Sequence, residues 1–120
     1  MVFFRQKIVH RFCALVLAVL WFPAAIVNGG DQQTNTKTEQ VVIDNFAYSP
    51  SKLTVAAGTT VTWLNRDDVP HTATSSKKPR EFDSGTLDTD QKFSHVFGKP
   101  GTYDYFCAVH PHMTGQIIVK

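Results

Sequence analysis

Between residues 101 and 115 the chain reads GTYDYFCAVHPHMTG, and Cys107, His110 and Met113 recur there at equal spacings of three. One thiolate, one imidazole and one thioether therefore share a single short loop. Cys and His alone would suit half of a zinc site, but zinc is held by Cys, His and carboxylate, whereas a thioether is a soft donor that favours copper. Two imidazoles and one thiolate with a weak axial thioether form the arrangement in which copper passes single electrons. The loop is one imidazole short of that set, so the missing donor must come from elsewhere in the chain.

The elements that position these donors read as strands. Beyond residue 41 no segment sustains a 3.6-residue apolar period, and several alternate with period two in β-branched and aromatic residues. The pattern predicts strands over 41–46, 52–56, 60–65, 71–74, 92–97, 102–107 and 116–120, with Ser49-Pro50, Ala57-Gly58 and Lys99-Pro100-Gly101 as turns and 75–87 as a long polar excursion. Short strands joined by Gly/Pro turns give an all-β chain, a Greek-key β-sandwich or barrel of about seven to eight strands. Tyr103, Tyr105 and Cys107 are two apart and share a face, which Phe97 marks as the interior. Cys107 is thus expected as an inward thiol at a strand end, with the loop folding back over it.

The first forty residues are of another kind. Arg5, Lys7, His10 and Arg11 precede an apolar run from Phe12 to Phe22, followed by Pro23 and small residues. This is the layout of a secretory signal peptide over 1–29, cleaved after Gly29 in preference to Ala25, and too short to span a bilayer unless it is retained as an anchor running on to Val27. Residues 31–40, DQQTNTKTEQ, contain no apolar side chain, so 30–40 is expected as a flexible polar linker leading to a domain over 41–120. Without the leader nine basic residues face ten acidic ones, a net charge of −1 that gives no footprint for nucleic acid. Cys13 leaves with the leader and Cys107 remains alone. A free thiol in an oxidising compartment is best explained by metal ligation.

From about residue 41 to residue 120 the chain resembles the cupredoxins, the small type 1 blue-copper proteins, and among them the amicyanin and pseudoazurin-like group. Three stretches carry the resemblance: TVTWLNRDDVPH ending at His71, FGKPGTYDYFC ending at Cys107, and the loop C-x-x-H-x-x-M ending at Met113. The resemblance implies one copper ion in a type 1 site, with His71 as the missing imidazole, His110 as the second, Cys107 as the strong thiolate and Met113 as the weak axial donor. It also implies a soluble, monomeric electron carrier, exported to the periplasm, that meets a redox donor and acceptor around His110, Pro111 and His112. An exported copper-holding or delivery protein is the alternative, disfavoured because no Met- or His-rich tract accompanies the site. Catalysis of the multicopper-oxidase kind would need further histidine clusters, and without the leader His95 and His112 alone remain after the ligands are assigned.

Two positions depart from the group. Thr72 stands where amicyanins have Asn, and its hydroxyl is expected to take over the tie between the two ligand-bearing segments. Val109 stands where amicyanin has Pro, and its N–H is expected to approach the Cys107 sulfur, favouring the reduced state. Among the remaining residues, His112 reads as a solvated rim residue and His95 as a buried, hydrogen-bonded one. Trp63, Tyr103 and Tyr105 read as packing residues. Lys77, Lys78 and Arg80 form a solvated loop face that could bias encounter with an acidic partner.

Overall fold

The computed structural model describes residues 36–120; the expected signal peptide over 1–29 and residues 30–35 of the expected linker lie outside the described residues. Eight strands follow in chain order: β1 (Thr38–Asp44), β2 (Ala47–Ser49), β3 (Lys52–Val55), β4 (Thr59–Asn65), β5 (Thr74–Ser75), β6 (Lys92–Phe97), β7 (Gly101–Phe106) and β8 (Thr114–Val119). They form two four-stranded sheets, ordered β2-β1-β4-β6 and β3-β8-β7-β5, with β1 parallel to β4 and β3 parallel to β8 and the other pairs antiparallel. No helix occurs among the described residues, and the architecture is the expected all-β sandwich.

Alternation builds the core. Val41 and Ile43 on β1, Val61 and Trp63 on β4, Phe97 on β6, Tyr105 on β7 and Ile117 on β8 all turn inward and are buried. Trp63 sits at the centre: its ring stacks on Phe82 at 5.3 Å and meets Tyr105 at 5.4 Å, Phe93 at 5.8 Å and Phe97 at 6.2 Å. The packing role expected of Trp63 and Tyr105 holds. Gly115 is paired with Tyr105 across β7 and β8, and a Cβ there would lie 2.2 Å from the tyrosine ring, so only glycine leaves room for it.

The structure departs from the sequence pattern most clearly around β1 and in the long excursion. β1 begins at Thr38, so polar residues expected in the linker pair with β4, Thr38 opposite Thr60 and Gln40 opposite Thr62; main-chain pairing needs no apolar side chain. The first expected strand does not run through residue 46. It ends at Asp44, and Asn45-Phe46 makes a two-residue hairpin turn into β2, both residues at positive φ (47° and 57°). Such a backbone costs a bulky residue about 1–3 kcal/mol and persists only where its surroundings impose it. Finally, the excursion over 75–87 is anchored rather than loose, because Phe82 and Leu87 are core residues.

Candidate metal centre

His71 is delivered by the turn that follows β4. Asn65, fully buried at the end of that strand, donates from Nδ2 to the carbonyls of Val69 and Leu87, both at 2.9 Å, and its Oδ1 accepts the Asp67 N–H at 2.9 Å. The main chain of His71 exchanges two hydrogen bonds with Leu87, at 3.1 and 2.8 Å. The expected strand at 71–74 therefore shrinks to β5, and His71 sits instead in an isolated bridge. Its imidazole is wholly buried, with Nε2 2.9 Å from Asp67 Oδ2. A carboxylate accepts only, so Nε2 carries the proton and Nδ1 presents a lone pair to the interior.

The loop carries the other candidate donors. Cys107 accepts the His110 N–H at 3.2 Å, His110 accepts the Met113 N–H at 2.9 Å, and the Cys107 N–H closes the loop on the Met113 carbonyl at 3.0 Å. The spacing of three is thus the spacing of successive tight turns. Cys107, one residue past β7, is fully buried, as the alternation from Tyr103 predicts, and Met113 is buried too. His110 is half-buried, while Pro111 and His112 are exposed.

Three donor atoms converge. Cys107 Sγ lies 3.7 Å from His71 Nδ1 and 3.8 Å from His110 Nδ1, and the two nitrogens are 3.1 Å apart. A triangle with these sides has one in-plane point about 2.1 Å from all three corners, within the ~2.0–2.3 Å that a transition metal needs to nitrogen and sulfur. Two imidazoles and one thiolate are brought together as expected, and the chemistry of this donor set suits copper.

Thr72 ties the two segments. Its hydroxyl accepts the Ala108 N–H at 2.7 Å, and since Thr74 donates to Asp83, the Thr72 proton goes to Thr74 Oγ1 at 2.9 Å. The Thr72 N–H points at Cys107 Sγ, at 3.3 Å, and its carbonyl accepts the Tyr48 hydroxyl. Burial raises the Tyr48 pKa, with the nearby Cys107 as a second cause, so this donor stays protonated. The expectation for Thr72 is met, but that for Val109 is not. The main-chain donor to the sulfur belongs to Thr72, whereas the Val109 N–H makes no such bond among the described residues and its side chain is half in solvent.

Two site residues escaped the sequence reading. Asp67 lies almost buried beneath His71, its pKa lowered first by the Phe46 N–H, which donates to Oδ2 at 2.9 Å, and then by the His71 imidazole. Phe46, at the strained turn, sets its ring nearly perpendicular to both imidazoles, 5.4 Å from His71 and 5.0 Å from His110. His95 is half-buried rather than buried, and is held by the rings of Phe82 (5.1 Å) and Phe97 (4.8 Å) instead of a hydrogen bond among the described residues. Desolvation lowers its pKa. The basic loop is largely neutralised, with Lys77 paired to Glu81 at 3.0 Å and Arg80 to Asp83 at 2.7 Å.

A two-sheet β-sandwich holding a buried thiol and two imidazoles around one point defines a small metal-binding redox protein. The cupredoxin-like domain model matches residues 12–119, and the chain belongs to that family. It is 30% identical over 113 residues to amicyanin-alpha of Methylorubrum extorquens, covering 89% of this chain and 95% of that protein. It is 35% identical to the amicyanin of Paracoccus versutus, over 67% of this chain and 63% of the relative. Among solved structures, a purple cupredoxin from Nitrosopumilus maritimus superposes with a TM-score of 0.64 at 38% identity, covering 68% of this chain and 98% of that one. A Cu(I) form of an amicyanin variant superposes with a TM-score of 0.65 at 32% identity, covering 69% and 82%. The chain is an amicyanin-like cupredoxin, a blue-copper electron-transfer protein with one type 1 copper.

Proposed function

We propose that His71, Cys107, His110 and Met113 hold the copper, and that electrons enter and leave at the edge of His110. The observation that carries this is the convergence of the two Nδ1 atoms and Sγ on a point about 2.1 Å from each, with His110 alone of the three reaching solvent. Bound there, copper supplies a one-electron couple. The chain's own residues do the rest. Asp67 keeps the His71 proton on Nε2, Thr72 donates its N–H to the thiolate, and the main-chain bonds of the loop keep Cys107, His110 and Met113 at fixed separations. Donors fixed in this way leave little to reorganise when the charge changes.

The reading extends to an exported, periplasmic, monomeric carrier that meets its redox donor and acceptor over His110, Pro111 and His112. Phe46 and Val109, each about half exposed, border that face with apolar surface. Catalysis finds no support in the remaining histidines: His95 is wedged between aromatic rings and His112 stands on the surface. Mixed Cu(I) and Cu(II) protein should show rapid electron self-exchange in NMR line widths while copper stays bound. Slow exchange with ready passage of Cu(I) to a competing chelator would replace the carrier by the copper-delivery reading.

A further inference from the structure

We propose that Phe46 is a positioning residue for both imidazoles, a latch that the Asp67 carboxylate holds shut from beneath and that keeps His110 aimed inward. The inference rests on the ligand assignment above and goes beyond it. Four observations meet at this turn. The Phe46 ring lies nearly perpendicular to His71 and to His110, at 88° and 85°, so one side chain touches the imidazole of each segment. Its main chain stands at φ 57°, a conformation that a bulky residue leaves unless something retains it. Asp67 Oδ2 does the retaining: it accepts the Phe46 N–H and the His71 Nε2–H, each at 2.9 Å, so one oxygen links the turn to the buried ligand. Half the Phe46 surface is nonetheless exposed, so burial of the ring in the core does not explain the strained turn.

The two imidazoles differ in what else holds them. His71 is gripped by Asp67 and by two main-chain bonds to Leu87, and is wholly buried. His110 is half-buried on a loop, and among the described residues its ring neighbours are Phe46 and His71 itself, the latter at 4.8 Å. Without the Phe46 ring, His110 is free to turn outward and the site opens to solvent on that side. Carrying the latch on the β1–β2 hairpin, which belongs to the sheet opposite the loop, makes closure depend on the two sheets being assembled.

Phe46→Gly separates this role from folding. Glycine accepts positive φ without cost and keeps the N–H that Asp67 needs, so the turn survives while the ring is lost. In metal-free protein the His110 side-chain resonances should be sharp in the wild type and broadened by exchange in Phe46→Gly, with no fall in thermal stability. In copper-loaded protein, loss of Cu(I) to an excess of a strong chelator should be faster by about tenfold in Phe46→Gly and near the wild-type rate in Phe46→Tyr, which retains the ring. Unchanged His110 line widths together with an unchanged rate of copper loss would overturn the latch. A wild-type protein that never takes up copper in a coloured site would instead overturn the ligand assignment, and the metal-free line widths would still decide whether Phe46 positions His110.

Discussion

Trp63→Ala is expected to cost about 3–5 kcal/mol, the range for truncating a buried aromatic side chain, and to bring the domain close to unfolding at ambient temperature. The indole is fully buried and touches four other rings, two of which, Phe82 and Tyr105, come from the 75–87 excursion and from β7. Neither the excursion nor β7 can close over the cavity without moving the other. Tyr105 precedes Cys107 by two residues on the same face, so the loss propagates to the thiolate. Trp63→Phe keeps a ring at the centre and should cost much less. Denaturant unfolding of the metal-free protein, with both variants compared, gives the measurement; a Trp63→Ala protein as stable as Trp63→Phe would show that the core does not depend on this residue.

Thr72→Val should be the most damaging conservative change at the site. It preserves shape and the main-chain N–H to sulfur but removes the hydroxyl, leaving the Ala108 N–H without its acceptor and Thr74 without its donor. A buried polar group stripped of its partner costs about 1–3 kcal/mol, whereas Thr72→Ser retains both bonds and should lie close to the wild type. The consequence reaches function because this hydroxyl joins the segment bearing His71 to the loop bearing Cys107 and His110. Thr72→Val is therefore expected to shift the reduction potential as well as the unfolding midpoint. Equal midpoints for Thr72→Val and Thr72→Ser would show that the tie carries no stability.

Much of this arrangement was legible in the sequence because it rests on periodicity and donor chemistry. Alternation places β4 and β6 within a residue of their bounds and turns Cys107 inward, and the soft donor set points to copper without reference to the fold. What escaped depends on long-range main-chain contacts. Phe46 is not a residue type that a positive-φ turn prefers, and Ser49-Pro50 carries the stronger turn signal nearby. Asp67, in the polar run RDDV, reads as a solvated carboxylate, and only the approach of the Phe46 N–H and the His71 imidazole gives it a partly buried role. Residues 38–40 carry no apolar signal because β4 recruits them through the main chain. Phe82 and Leu87 were hidden as isolated apolar residues in a polar stretch, where neither period two nor period 3.6 could reveal them. Loop spacing does not say which N–H faces the sulfur: it suggests Val109, and the fold puts Thr72 there.

The central claim is that the Cys107 thiolate, with His71 and His110, binds copper in a type 1 site. Adding Cu(II) to the purified protein should produce an intense blue thiolate-to-copper absorption band that saturates at one ion per chain and is abolished in Cys107→Ser. A wild-type protein that stays colourless, or a Cys107→Ser protein that keeps the band, would contradict it.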